Sequence, residues 1–189
     1  MNPETVTIVS GLPRSGTSMM MKMLEAGGMP ILTDNVRAAD EDNPKGYYEL
    51  ERVKKIEHDT TWLPEARGKV VKLISALLRH LPPTYHYKVI FMRREMAEVL
   101  ASQRQMLVRR GKPADTDDVK MAEVFERHLR DVDGWLRQQP NMEVLYVSYN
   151  EMIAHPSEHA QRVAAFLDHA VQPEAMVRAV DQSLHRQRT

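Results

Sequence analysis

Four short runs of β-branched and other large apolar residues stand out along the chain, and most of them lack strict alternation of apolar and polar positions. They are TVTIVS (5–10), KVVKLI (69–74), YKVIFM (87–92) and EVLYVS (143–148). This pattern is typical of strands that are buried on both faces, as in a parallel sheet. The sequence therefore predicts four strands in a mainly parallel sheet.

Five longer segments have the end signals of helices, namely 17–26, 95–110, 118–139, 156–168 and 173–186. Gly27 and Gly28 follow the first segment, and a proline opens each of the last two, where its missing N–H costs nothing. The polar stretches 34–48 and 111–117 are typical of loops. Alternating strands and helices predict an α/β fold, a three-layer α/β/α sandwich in one domain over residues 1–189.

Composition excludes several classes of protein. The 189 residues include no cysteine, so disulfides, thiolate nucleophiles and Cys-ligated zinc are excluded. The 26 basic residues balance the 26 acidic ones, which argues against a nucleic-acid or membrane-surface partner. No apolar run approaches the roughly 20 residues of a membrane span, and the start lacks the pattern of a signal peptide. We expect a cytoplasmic protein.

The balanced total conceals a local asymmetry. Segment 86–112 holds seven basic and two acidic residues and so carries a net charge of +5. Segment 33–60 holds eight acidic and five basic residues and carries a net charge of −3. The basic segment includes the third predicted strand, and Arg93 and Arg94 directly follow that strand, at the edge where α/β sheets bind ligands. It therefore indicates an anionic ligand there.

The strongest motif, GLPRSGTS (11–18), connects the first strand to the first helix. Its spacing is that of a phosphate-binding loop, with Thr17 where nucleotide hydrolases have lysine. Glycines allow backbone N–H groups to wrap an anion, the helix adds its positive end, and Arg14 adds a permanent charge. The alternative is a tight strand–helix turn that binds nothing.

The type of anion follows from what the motif lacks. A nucleoside triphosphate with Mg²⁺ needs the loop lysine and an acidic residue at the end of another strand. The other strands run into Ser75, Arg93-Arg94 and Ser148-Tyr149. The sequence therefore favours a metal-free anion with fewer charges at the loop.

The motif resembles the first signature of the PAPS-dependent sulfotransferases, especially the short bacterial members, where PAPS is 3′-phosphoadenosine 5′-phosphosulfate. The signature (K/R)-S-G-T-(S/T) is matched at residues 14–18. The resemblance implies that PAPS is the cofactor and that the loop holds its 5′-phosphosulfate. The implied contacts are Arg14, Ser15, Gly16, Thr17 and Ser18.

The second signature of this family binds the 3′-phosphate through an Arg at a strand end and a Ser eight residues later. Arg94 and Ser102 match this spacing. Glu95-Met96 replaces the usual Asp/Asn-Pro, so Arg93 is a rival for the role of Arg94. Residues 149–151, after the last predicted strand, resemble the Tyr-Glu-Asp-like element of this family. The resemblance implies that Tyr149 lies near the adenine.

The resemblance also implies catalytic roles. Arg14 would stabilise the departing product PAP, 3′-phosphoadenosine 5′-phosphate, and Lys72 is a second candidate cation near the sulfuryl group. Lys72 is equally compatible with a strand-edge lysine whose stem is buried. The family histidine that acts as base would fall at Ile74, so the base lies elsewhere or is dispensable. Glu49 is the first candidate, with His58 and Asp59 as fallbacks, and each is also compatible with an ordinary surface role.

The motif HPSEH (155–159) matches an inverted zinc-protease pattern. Pro156 suggests a helix start that leaves His155 outside the helix, so no metal site is expected.

The leading hypothesis is sulfuryl transfer to a hydroxyl or amine of a small-molecule, glycan or peptide acceptor, whose pocket is expected from segments 34–62 and 109–118. The alternatives are a nucleotide kinase-like phosphotransferase and a non-catalytic PAPS- or nucleotide-binding protein. No motif indicates the acceptor or the oligomeric state.

Overall fold

Four parallel strands form the central sheet of the computed structural model, which describes residues 4–34, 48–111 and 117–180. The strands are β1 (Val6–Gly11), β2 (Val70–Lys72), β3 (Tyr87–Arg93) and β4 (Met142–Ser148). Their order in the sheet is β2-β1-β3-β4, and each neighbouring pair is parallel. All four predicted strands are confirmed. However, β2 has three residues instead of the predicted six.

Helices separate the strands and follow the last one. They are α1 (Thr17–Ala26), α2 (Leu63–Ala66), α3 (Met96–Arg109), α4 (Asp118–Leu136), α5 (Tyr149–Ala154), α6 (Pro156–Phe166) and α7 (Pro173–Ala179), with 3₁₀ helices at Glu51–Lys55 and Ser75–His80. The bounds of α1 agree with the prediction, whereas α4 and α6 end two or three residues earlier. The short helices α2 and α5 and both 3₁₀ helices were not predicted. The predicted C-terminal part of α7 and most of both predicted loops lie outside the described residues.

Two hydrophobic clusters cover the two faces of the sheet. On one face, methionines of α1 (Met20, Met21 and Met23) pack with residues of α5, α6 and α7. On the other face, Trp62 and Leu63 pack with Val132 and Leu136 of α4. Helices therefore lie on both faces of a parallel sheet, which confirms the predicted α/β architecture. The prediction of a single domain over residues 1–189 stays a prediction.

The register of the strands brings their carboxyl ends to one edge. Gly11 of β1 lies opposite Met92 of β3, and Arg93 lies opposite Ser148 of β4. Beside β1, Lys72 pairs with Val9, and the N–H of Leu73 donates to the Val9 carbonyl at 3.0 Å. The loop after β1 therefore lies between the residues that follow β2 and those that follow β3.

Among the described residues, no helix is both long and apolar enough to cross a membrane.

Candidate functional site

The loop after β1 has a backbone conformation that requires glycine at two positions. Gly11 has φ +147°, and a Cβ atom there would lie 2.6 Å from the carbonyl oxygen of Met92. Gly16 has φ +97°, and a Cβ atom there would lie 2.4 Å from Cδ2 of Tyr149. Both distances are shorter than real Cβ contacts. The loop backbone can therefore pack this closely only without side chains at Gly11 and Gly16.

Hydrogen bonds within the loop hold its shape. The Ser15 hydroxyl donates to the Leu12 carbonyl at 2.7 Å, and the Ser15 N–H donates to the same carbonyl at 3.2 Å. Arg14 has φ +70°, a left-handed conformation that is uncommon for a residue with a Cβ atom. Helix α1 begins at Thr17, directly after Gly16, so the positive N-terminal end of the helix faces the loop.

Side chains from β2 and α3 contact two residues of the loop motif, Ser18 and Arg14. The Lys72 ammonium group donates to the Ser18 hydroxyl at 2.9 Å. Nε of Arg14 donates to the Ser102 hydroxyl at 2.9 Å. The structure therefore brings together residues that are 54 and 88 positions apart in the sequence, and it puts two cations beside the start of α1.

Arg94 supports the loop from a buried position after β3. Its side chain is 7% exposed, and Nε donates to Oε2 of Glu98 at 2.7 Å. Nη1 donates to the carbonyl of Arg14 at 3.2 Å. The guanidinium carbon lies 4.3 Å from the centroid of the Tyr149 ring. Arg94 thus binds the left-handed residue of the loop on one side and the aromatic ring that packs on Gly16 on the other.

Glu98 and Asn150 complete this network. Glu98 is 3% exposed, and its second oxygen accepts a hydrogen bond from the Asn150 amide at 2.9 Å. Burial raises the pKa of Tyr149 above its ordinary value; Glu98 acts in the same direction, while Arg94 and Arg14 oppose it. The motifs in the sequence assign no role to Glu98 or Asn150. The spacing of four residues between Arg94 and Glu98 was the available signal for the ion pair.

Arg93 points away from the loop. Successive residues of a strand alternate between the faces of a sheet, and Arg93 forms an ion pair with Asp133 of α4. Its guanidinium carbon lies 4.6 Å from the Tyr146 ring, and its side chain is 43% exposed. Of the two neighbouring arginines, Arg94 is therefore the one that contacts the phosphate-loop motif.

The predicted base candidates Glu49 and Asp59 have different local surroundings. Ile74, at the position of the family histidine, is 44% exposed just beyond β2. The Glu49 carboxylate lies 3.9 Å from the Lys54 ammonium group, and its backbone carbonyl accepts from the Thr33 hydroxyl at 2.7 Å. The Thr61 hydroxyl and N–H hold the pKa of Asp59 below its ordinary value. Asp59 is therefore engaged in a local turn, whereas Glu49 stays a candidate.

The residues of the HPSEH motif do not form a shared metal face. Helix α6 begins at Pro156, which confirms the predicted helix start and leaves His155 outside the helix. His159 is buried and lies 3.2 Å from the Arg162 guanidinium group through Nδ1. Across residues 4–34, 48–111 and 117–180, no group of three or more His, Cys, Asp or Glu side chains could hold a metal ion.

Comparisons with solved structures find the same fold. Mouse sulfotransferase SULT7A1, complexed with PAP, superposes with a TM-score of 0.57 at 16% identity over 95% of this chain and 63% of that protein. The sulfotransferase domain from the curacin biosynthetic pathway superposes with a TM-score of 0.51 at 14% identity, over 90% of this chain and 76% of that domain. The chain thus spans less than two thirds of the length of the mouse protein.

Sequence comparison gives the family. No curated protein sequence matches the chain. Residues 4–187 match the family model described as "Sulfotransferase domain", which covers the strands, the phosphate-loop motif and the residues after β3. Because this match extends over nearly the whole chain, the protein belongs to the sulfotransferase family.

Proposed function

We propose that the protein transfers a sulfuryl group from PAPS to a hydroxyl or amine of an acceptor molecule. The observation that carries this proposal is the contact of Arg14 with Ser102 and of Arg94 with the Arg14 carbonyl. These contacts join the loop motif to the residues that follow β3, as a nucleotide with phosphates at both the 5′ and 3′ positions requires. The PAP complex of the mouse sulfotransferase supports the choice of donor.

The residues of the site fit such a nucleotide. The two glycines allow close approach of the backbone, and the N–H groups at the start of α1 favour an anion. We infer that the loop at 14–18 binds the 5′-phosphosulfate through these N–H groups and the hydroxyls of Thr17 and Ser18. We further infer that Arg94 and Ser102 bind the 3′-phosphate and that the Tyr149 ring borders the adenine.

Charge stabilisation is the catalytic role that the geometry supports for two cations. When bound, PAPS supplies a sulfuryl group whose bond to the 5′-phosphate breaks as the bond to the acceptor forms. Arg14 lies within the loop motif and Lys72 contacts Ser18 at its last position, so their charges can stabilise the negative charge that develops on the bridging oxygen. The acceptor loses a proton in this step, and Glu49 is the base candidate that the sequence predicts.

Calorimetric titration with three nucleotides tests the donor site. We expect PAP to bind more tightly than adenosine 5′-phosphate, because only PAP has the 3′-phosphate, and we expect ATP·Mg²⁺ to bind weakly. Binding of ATP·Mg²⁺ without binding of PAP would instead support the kinase-like alternative.

Two matched substitutions locate the 3′-phosphate. Arg94→Lys keeps the charge but loses the planar fork that pairs with phosphate, so it should weaken PAP more than adenosine 5′-phosphate. Arg93→Lys is the neighbouring control and should change neither affinity by much. The reverse pattern would assign the 3′-phosphate to Arg93.

Transfer of ³⁵S-sulfate from labelled PAPS to a panel of phenols, alcohols and amines distinguishes an enzyme from a binding protein. Labelled product supports the enzyme. Tight PAP binding with no transfer to any acceptor or to water would support the non-catalytic alternative.

A further inference from the structure

An imidazole from α4 reaches the residue next to Ile74. The 3₁₀ helix at Ser75–His80 begins directly after Ile74, and its first residue, Ser75, is buried. The Ser75 hydroxyl lies 2.8 Å from Nε2 of His128. The sequence positions of the two residues differ by 53, so the motif spacing around Ile74 could not have indicated this contact.

Ser75 and His128 lie at the edge of the sheet that carries the phosphate-loop motif. Leu73 still donates to the Val9 carbonyl of β1, so the chain leaves the sheet only at Ile74. Three residues before Ser75, the Lys72 side chain reaches Ser18 at the start of α1. Residues 72–75 therefore link the Lys72 ammonium group, which contacts the start of α1, to the His128 imidazole.

The inward stripe of α4 becomes less buried toward the N-terminus of the helix. Val132 and Leu136, spaced by four residues, are buried against the sheet. The same stripe continues toward the N-terminus of α4 with His128, Phe125 and Met121, at spacings of three or four residues, and all three are partly exposed. The stripe thus passes from the core to a partly exposed surface at His128.

The surroundings of His128 favour its neutral form. Burial and the charge of Arg79, from the 3₁₀ helix, lower the pKa of His128 below its ordinary 6.5, while Asp131 of α4 opposes this shift. A neutral imidazole is a base at neutral pH. In a neutral imidazole, the hydrogen bond made by one ring nitrogen determines which of the two nitrogens carries the proton. In His128, Nε2 is the nitrogen that contacts Ser75.

We propose that His128, held by Ser75, is the general base that takes the proton of the acceptor hydroxyl, in place of the histidine that Ile74 replaces. This proposal rests on the proposed sulfotransferase function. In this proposal Nε2 carries the hydrogen and donates it to the Ser75 hydroxyl oxygen, which leaves Nδ1 to accept the proton of the acceptor. The acceptor oxygen then forms its bond to sulfur with the released electron pair, the bond from sulfur to the 5′-phosphate oxygen breaks, and PAP leaves with that pair.

The test compares four variants with the wild type. His128→Gln keeps a polar group for Ser75 but cannot take a proton, and Ser75→Ala keeps the imidazole but removes its partner. Glu49→Gln tests the rival base. His155→Gln is the matched control, because His155 is exposed, precedes α6 and lies 4.0 Å from the carboxylate of Glu151 in α5. The probes are PAP binding by calorimetry and release of labelled sulfate from PAPS to 2-naphthol and to water, measured from pH 5 to pH 8. The aromatic phenol is chosen because Ile74 and Phe125 are apolar.

We expect His128→Gln to bind PAP as the wild type does and to lower kcat by roughly 10²- to 10⁴-fold, the range for loss of a general base. The wild-type rate should fall below pH 6.5 as His128 becomes protonated, and this acid limb should disappear in His128→Gln. Ser75→Ala should lower kcat less and should shift the acid limb, since the imidazole remains. His155→Gln should behave as the wild type.

Two outcomes would overturn the assignment of His128. They are wild-type kcat and pH profile in His128→Gln, and loss of the acid limb in Glu49→Gln instead. A wild type that fails to bind PAP, or that binds PAP but releases no sulfate to 2-naphthol or water, is a separate result, because it overturns the proposed function and with it the base.

Discussion

Substitution of Glu98 by alanine should destabilise the fold strongly, because it leaves the Arg94 guanidinium buried without its counter-charge. The two side chains are 7% and 3% exposed, and Nε lies 2.7 Å from Oε2. Coulomb's law gives an attraction of about 6 kcal/mol for unit charges at this distance with an effective dielectric constant of about 20. The cost of removing both charges from water offsets much of this attraction.

The measurable effect is the penalty for breaking the pair. Loss of one partner of a buried pair costs about 3–5 kcal/mol of unfolding free energy. For a chain of this length, about 2–4 °C of Tm corresponds to each kcal/mol, so Glu98→Ala should lower Tm by roughly 6–20 °C. Urea unfolding followed by circular dichroism gives the free energy, and a thermal scan gives Tm.

The control is an ion pair with the same spacing on an exposed surface. Glu126 and Arg130 of α4 are also four residues apart, with side chains 55% and 70% exposed and 3.9 Å between the charged atoms. Glu126→Ala should cost only about 0.3–0.5 kcal/mol, since exposed pairs of this spacing contribute little. Equal losses of unfolding free energy for Glu98→Ala and Glu126→Ala would refute the argument that burial makes the Arg94–Glu98 pair important for stability.

Three further predictions test other parts of the structure. Gly16→Ala should weaken PAP binding in calorimetry, because the new Cβ would collide with Tyr149 at φ +97°, whereas Gly134→Ala in α4, where a Cβ meets nothing within 4 Å, should stabilise the fold by about 1 kcal/mol in urea unfolding. Lys72→Met should lower the rate of sulfate transfer from PAPS more than it weakens PAP, if its charge acts mainly in the transition state. Burial lowers the pKa of His159. Since the unfolded chain then binds the proton more readily, stability should fall as pH decreases below 6.5, and His159→Gln should reduce this loss in urea unfolding at pH 5 and pH 7.

The fold was predictable to the extent that it depends on local patterns. The four strands are nearly continuous apolar runs, and Gly27 and Pro156 mark a helix end and a helix start, so their bounds could be read within a few residues. Helices α2 and α5 have four and six residues, too few to show a helical period. Strand β2 ends early at Lys72, and the 3₁₀ helix that follows contacts α4 through Ser75 and His128, a long-range contact that local patterns do not show.

The candidate site was predictable where one contiguous motif or one fixed spacing carries it. The loop at 11–18 and the pair Arg94 and Ser102 are of this kind. Arg93 and Arg94 differ in their ion-pair partners, Asp133 of α4 and the buried Glu98, and the role of Arg94 at the 3′-phosphate stays a prediction. The contact of Ser75 with His128 joins distant segments, so neither residue stood out in the sequence.

The pairing of charges also changes the meaning of the basic segment at 86–112. Arg93, Arg94 and Arg104 each form an ion pair, with Asp133, Glu98 and Asp118 respectively, and two of these acids lie in α4, outside the segment. The excess of +5 counted along the sequence is therefore not the charge that a ligand would meet. Attraction for a phosphorylated nucleotide would instead depend on a few cations fixed at the loop, Arg14 and Lys72 among them. Because buried carboxylates such as Glu98 hold the neighbouring arginine in place, they are as much a part of such a site as the cations are.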